Sequence, residues 1–335
     1  MATVGILGAG SWGSALAIVL CNNHHTVTLW SHRPEEARRL AETRENPGKL
    51  PGVKIPDLIR ITGDLERVLT GQDVLVMAVP SAQMRNTCRR ISSQVKKGQI
   101  IVSVAKGIEA DTFATMTDMI EQEISGAHAA VLSGPSHAEE VSRGLPTTCV
   151  IGARTEETAK YLQNIFMSPV FRVYISPDML GIELGGALKN VIALAAGVAD
   201  GLGYGDNTKA ALITRGIAEV ARLGIKMGGR PETFFGLTGI GDLIVTCASV
   251  HSRNRRAGVL IGQGYTLEEA MTEVNMVVEG VYSTKAAVEL AAKYQVELPI
   301  IEQVSKVLFE GKSAKDAVST LMLRDKKIEN PLLPW

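Results

Sequence analysis

The sequence predicts an α/β protein in which an N-terminal doubly wound sheet is followed by an all-helical C-terminal domain. Three observations carry this. A short apolar strand runs into a glycine turn and a helix over residues 3–20; apolar strands then alternate with amphipathic helical segments to about Ile175; and after Ser176-Pro177 the strand pattern stops and Ala-rich segments of helical period take over. A chain of 335 residues also exceeds what one hydrophobic core usually supports. We therefore expect two domains, 1–183 and 184–335.

The strands are predicted at residues 4–7, 27–30, 74–79, 100–105, 129–132, 149–151 and 171–174. Each is a short, nearly continuous apolar run, as befits strands buried on both faces of a parallel sheet. Helical patterns such as 81–91 lie between them, and the right-handed crossover rule turns this alternation into a doubly wound sheet. In the second half, helices are expected over 178–199, 208–226, 267–271, 283–293 and 300–310, with the glycine-rich stretches 201–205 and 236–241 as loops. The tail, 331–335, reads as a surface extension.

Composition narrows the function classes. Lysine plus arginine and aspartate plus glutamate number 35 each, so no net field draws the chain to nucleic acid or to an anionic membrane. Any phosphate binding is expected to be local. The apolar N-terminus is no signal peptide on this reading, because no Lys or Arg precedes the run and Gly5, Gly8, Gly10 and Gly13 interrupt it. The longest candidate span, 191–198, stops at Asp200, short of the roughly 18 apolar residues a bilayer requires. We expect no membrane insertion and a cytoplasmic setting. The four cysteines show no CxxC pairing and the six histidines no HxxxH or HExxH spacing, which points to reduced core thiols and no metal site.

The first motif is Gly8-Ala9-Gly10-Ser11-Trp12-Gly13, preceded by a strand and followed by a helix. That context makes it a Rossmann-like dinucleotide site. Gly8 permits the tight turn, Gly10 leaves room for a pyrophosphate, and Gly13 lets helix and strand approach, so that helix N-terminal amides face the phosphates. An NAD-specific enzyme normally has an acid at the end of the second strand to bind the ribose 2′-hydroxyl. Here the residues are Trp30-Ser31-His32-Arg33, with Arg33 available for a 2′-phosphate, so NADP(H) is expected to be accepted alongside NAD(H). The alternative for Arg33 is a solvated residue at a helix start before Pro34.

Reducing a ketone with a nicotinamide needs a proton donor for the developing alkoxide and cations that hold the substrate in line. Lys189, beside Asn190 on a helix that opens the second domain, suits the donor: facing an interdomain cleft, its pKa is lowered by burial and nearby cations. Arg253, in Ser252-Arg253-Asn254, suits bidentate phosphate binding at a helix start that Ser252 can cap. Lys106 follows a strand's carboxyl end, the side on which such sheets bind ligands. Asp242 is read as hydrogen-bonding a substrate hydroxyl or orienting Lys189. For each residue taken alone a plain structural reading stays open: a solvated helix lysine, a simple helix cap, an Asx turn at Asp242 and a loop acid at Glu279.

Taken together, Ser103-Val-Ala-Lys-Gly-Ile-Glu109, Gly134-Pro-Ser-His-Ala-Glu139, Leu188-Lys-Asn-Val191, Gly241-Asp-Leu-Ile-Val-Thr-Cys247 with Ser252-Arg-Asn254, and Val277-Val-Glu-Gly280 resemble the bacterial-type NAD(P)-dependent glycerol-3-phosphate dehydrogenases over nearly the whole chain. The resemblance implies reversible reduction of dihydroxyacetone phosphate, a small phosphorylated triose, to sn-glycerol 3-phosphate, supplying glycerophospholipid synthesis. It assigns Lys189 as proton acceptor in the alcohol-oxidising direction. It implies substrate contacts from Lys106, Gly134, Ser136, Lys189, Asp242, Ser252 and Arg253, with Asn254 completing the segment. On the cofactor side it adds Ser11, Trp12, His32, Arg33, Lys106, Ala138, Arg253, Val277 and Glu279 to the glycines. His137 stands where an aromatic residue is expected in many relatives. A homodimer is the expected assembly. The rivals are a hydroxyacid dehydrogenase of similar two-domain design and a nicotinamide-sensing module without turnover.

Overall fold

The computed structural model describes residues 1–326, 328 and 329; the segment 331–335, read from sequence as a surface extension, lies outside them. The first half builds one eight-stranded sheet. In chain order its strands are β1 (Thr3–Leu7), β2 (Thr26–Trp30), then β5 (Arg60–Thr62), β6 (Val74–Met77), β7 (Ile100–Ser103), β8 (His128–Ser133), β9 (Thr147–Ala153) and β10 (Phe171–Ser176), while β3 (Glu45–Asn46) and β4 (Leu50–Lys54) form a separate hairpin. The order across the sheet is β10-β9-β8-β7-β6-β1-β2-β5. Neighbours pair in parallel, with one exception.

The apolar runs are continuous because both faces are covered. Successive residues point to opposite faces of a strand, and the two cores divide accordingly: Val74 and Val76 of β6 join one cluster, Leu75 and Met77 the other. Val102 of β7 and Ala130 and Leu132 of β8 fall on the first face, Ile101, Ala129 and Val131 on the second.

Three expectations need correction. The sheet is not parallel throughout, because β9 runs antiparallel to β8. A parallel return needs a crossover of a dozen or more residues, usually an α-helix; the connection 134–146 holds only the four-residue helix Ala138–Val141, and the chain instead turns back beside β8. The short edge strand β5 and the hairpin were not foreseen, since Arg60–Thr62 and Leu50–Lys54 carry no sustained alternation. The stretch 236–241, expected to be a loop, contains the π-helical turn Leu237–Gly241, which runs directly into the helix Asp242–Ala248.

Beyond Ser176 the described residues form helices only. Their axis is Met179–Gly201, capped by Asp178, whose carboxylate accepts from the Gly181 amide at 3.0 Å and from Thr233 Oγ1 at 2.6 Å. This helix is largely apolar and buried on nearly every side, the mark of a helix surrounded by others. It is long and apolar enough to cross a membrane by length and composition, yet 89% of its most apolar window is buried inside the fold. Helices Asp206–Lys226, Asp242–Ala248, Arg253–Gly262 and Glu279–Tyr294 pack around it.

Candidate active site

The glycine turn has the shape of a phosphate cradle. Gly8 adopts φ +124°, a conformation that L side chains rarely take, and its amide donates to the Trp30 carbonyl at 3.0 Å across the ends of β1 and β2. A Cβ at Gly13 would lie 1.9 Å from the Gly8 carbonyl oxygen, so the helix Ser11–Asn22 sits closer to the strand than any other residue permits. Gly10, at the helix N-cap, faces open space: a Cβ there would meet nothing within 4 Å. No side chain caps this helix and no acid stands in its first turn, which leaves its amides and positive dipole end for an anion. The residues present therefore fit a dinucleotide pyrophosphate. Ser11 Oγ donates to the Lys49 carbonyl at 2.5 Å, and Trp12 is half-buried against the core.

His32 and Arg33 are exposed at the end of β2, apart from the residues described next. The sequence shows no acid at that strand end, but the structure brings one there from the following helix. Glu36 accepts from Ser31 Oγ at 2.6 Å and from Lys49 Nζ at 2.8 Å. Neither Glu36 nor Lys49 was legible as a site residue, because their meeting depends on the unforeseen hairpin.

The second cluster lies where the carboxyl ends of β7 and β8 meet the helical half. Asp242 is 1% exposed and takes a lysine on each oxygen: Lys189 Nζ on Oδ1 at 2.5 Å and Lys106 Nζ on Oδ2 at 2.6 Å. Lys106 also donates to the Gly134 carbonyl at 3.0 Å, which Ser136 Oγ contacts at 2.9 Å. Lys189 has one further partner, Thr246 Oγ1 at 2.6 Å. Thr246 was missed, although its signal was present: four residues after Asp242, it shares that residue's helix face. Lys189 comes from the helical half and Lys106 from the sheet half, so one buried carboxylate joins the two.

Burial disfavours a charged lysine. It pushes Lys189 down to about 8, with Lys106 pressing the same way and Asp242 opposing both. Burial alone would raise the Asp242 carboxyl, but the two ammonium groups hold it below its ordinary range. The His137 pKa is lowered by burial first and by the charge of Lys189 next; its Nε2 is buried without a hydrogen-bond partner among the described residues.

Arg253, Asn254 and Glu279 form the adjoining wall. Ser252 caps the helix Arg253–Gly262 as its position predicts, Oγ accepting from the Arg255 amide at 3.2 Å. Asn254 is tied into a relay: Nδ2 donates to Asn190 Oδ1 and Oδ1 accepts from the Gly280 amide, both at 2.9 Å. Arg253 is half-buried and its side chain makes no hydrogen bond or ion pair to another described residue; its guanidinium pKa is lowered by burial, while Glu279 and Glu139 act against that. Glu279 is no loop acid. It opens the helix Glu279–Tyr294 and accepts from the Ser81 amide at 3.1 Å and from Ser81 Oγ, a contact between the two halves that the sequence did not reveal. Val277 is half-buried just before it, and Ala138 opens the short helix after His137.

The comparisons with known proteins agree over the whole length. The description NAD-dependent glycerol-3-phosphate dehydrogenase N-terminus matches residues 3–159 and its C-terminus counterpart residues 178–319. A protein of Agathobacter rectalis named glycerol-3-phosphate dehydrogenase (NAD(P)+) is 64% identical over 335 residues, covering 100% of both chains. One of the same name from Fusobacterium nucleatum is 60% identical, over 98% of this chain and 99% of its own. The crystal structure of glycerol-3-phosphate dehydrogenase from Coxiella burnetii is 36% identical, superposes with a TM-score of 0.93, and covers 96% of this chain and 99% of its own. Two matched halves, full-length identity and a shared fold lead to one conclusion: the chain belongs to the NAD-dependent glycerol-3-phosphate dehydrogenase family.

Proposed function

We propose that this protein reduces dihydroxyacetone phosphate to sn-glycerol 3-phosphate with NADH or NADPH, reversibly, and that the cluster around Asp242 is its catalytic centre. The observation that carries this reading is the Lys106–Asp242–Lys189 bridge at the mouth of the sheet. Two cations on one carboxylate leave a net positive charge in a buried cleft, suited to an anionic substrate and to an oxygen gaining charge.

Each residue then has a task. Lys189, protonated, donates to the carbonyl oxygen as it becomes an alkoxide, and takes the proton back in the oxidising direction. Asp242 and Thr246 fix where its ammonium points. Lys106, Ser136 and the Gly134 backbone border the same space, and Arg253, which pairs with no carboxylate among the described residues, holds the phosphate. Ser252 and Asn254 hold the Arg253 segment through the cap and the relay. Bound over the glycine turn, the nicotinamide dinucleotide supplies or accepts the hydride. Gly8, Gly10, Ser11, Trp12 and Gly13 form that turn, and His32 and Arg33 meet the adenosine end. Ala138, Val277 and Glu279 border the path between turn and lysines. The halves correspond to the expected domains 1–183 and 184–335, with the helix Met179–Gly201 crossing that boundary, and a cytoplasmic homodimer feeding phospholipid synthesis belongs to the same proposal.

The test is oxidation of NADH and of NADPH, in parallel, with dihydroxyacetone phosphate. Turnover with at least one supports the reading. Turnover of a hydroxyacid substrate but not of the triose phosphate overturns it, and so does inactivity with both cofactors.

A further inference from the structure

In sheets of this kind the adenosine ribose of a dinucleotide lies at the carboxyl end of β2. Glu36 reaches that place from the first turn of the helix Pro34–Thr43, held by Ser31 Oγ on Oε2. Lys49 Nζ holds its other oxygen. Lys49 in turn stands in the turn of the β3–β4 hairpin, which is fastened to the glycine turn twice: Ser11 Oγ donates to the Lys49 carbonyl, and Asn46 Nδ2 donates to the Ala9 carbonyl at 3.1 Å. The hairpin thus brings a cation to the ribose end through backbone anchors that do not depend on the lysine side chain. The Glu36 side chain is 11% exposed and that of Lys49 37%, so the pair is partly withdrawn from water and weakly screened. Arg33, one turn before Glu36, is exposed beside them.

We propose that the Glu36–Lys49 ion pair sets the choice between NADH and NADPH. The proposal rests on a dinucleotide occupying this cleft. Paired, the Glu36 charge is compensated and does not repel a 2′-phosphate, while Lys49 and Arg33 present cations to it. Released from Lys49, Glu36 is the acceptor that a ribose 2′-hydroxyl uses and the anion that a 2′-phosphate avoids. The two residues therefore act in opposite senses, Lys49 toward NADPH and Glu36 toward NADH. Burial alone would raise the Glu36 carboxyl, yet hydrogen bonds from Lys49 and Ser31 outweigh it and keep the group ionised, as both roles require.

The experiment is direct titration of each cofactor, by calorimetry without substrate, into wild type, Lys49→Met, Glu36→Gln and the double variant. Methionine keeps the length of the lysine stem and the backbone contact to Ser11. Lys49→Met should weaken NADPH about tenfold relative to NADH, the effect of one well-placed charged contact. Glu36→Gln should move the ratio the other way, and the double variant should fall between the two. Single variants that shift the ratio in the same direction, or that both leave it within about twofold of wild type, overturn the proposal while leaving the cofactor assignment intact. A wild-type protein that binds neither dinucleotide overturns both.

Discussion

Lys189 Nζ stands 2.5 Å from Asp242 Oδ1, both groups buried, and the second Asp242 oxygen is taken by Lys106 at 2.6 Å. A buried ammonium with one carboxylate to itself would be locked in its charged form. Shared between two lysines, the carboxylate compensates only part of their charge, and Lys189 remains able to lose its proton near neutral pH.

Replacing Lys189 by methionine should therefore abolish chemistry without emptying the cofactor cleft. The variant keeps the buried aliphatic stem and leaves Asp242 paired with Lys106. We expect kcat to fall by about 10²–10⁴-fold, the range for a positioned proton donor, with the NADH and NADPH dissociation constants close to wild type. Turnover within a few-fold of wild type would refute the assignment of Lys189.

The pH dependence has a definite sign. Reduction needs Lys189 protonated, so its rate should be level below pH 8 and fall as pH rises through about 8; oxidation should rise over the same interval. Asp242 is what holds the Lys189 pKa up against burial and Lys106. Asp242→Asn should accordingly move the falling limb of reduction to lower pH. Profiles of kcat/KM in both directions check this, and a limb that stays in place or moves upward would contradict it.

At the adenosine end, Arg33→Ala should raise the NADPH dissociation constant by about tenfold, the loss expected for one charged contact to phosphate, and change that of NADH little. Arg33 is exposed and its side chain makes no hydrogen bond to another described residue, so stability should be unaffected. Equal effects on both cofactors would return Arg33 to the role of a solvated residue before Pro34.

How far the sequence reaches depends on the range of the contact. The strand–turn–helix around Gly8, Gly10 and Gly13 is local, and so was readable in full. So was the Ser252 cap, whose partner lies three residues away. Lys106, Lys189 and Asp242 were named individually, but their joining through one carboxylate is a contact between residues 106, 189 and 242 that no spacing encodes. Glu36 meets Lys49 only because the hairpin folds over the glycine turn, and Ser81 meets Glu279 only because the two halves dock. The antiparallel β9 escaped for a related reason: strand direction is set by the path of the connection, while the apolar runs look alike in either sense.

The last prediction concerns how the substrate wall is held in place. Helices Met179–Gly201 and Arg253–Gly262 touch through glycines on both sides, Gly197 and Gly201 facing Gly258 and Gly262. A Cβ at Gly258 would lie 2.2 Å from the Leu194 carbonyl oxygen and 2.9 Å from Gly197 Cα, both rigid backbone. Gly258→Ala must therefore push the second helix outward, an overpacking that costs about 1–3 kcal/mol. Arg253 and Asn254 sit on the first turn of that same helix, and the Asn254–Asn190 bond spans the same interface. Displacement should thus appear twice, as a lower Tm and as a raised KM for the triose phosphate. Gly48→Ala, where an added Cβ meets nothing within 4 Å, is the stability control. A Gly258→Ala protein as stable as wild type would show that the two helices are not in contact at this point, whereas a loss of stability with KM unchanged would separate the helix interface from the position of Arg253.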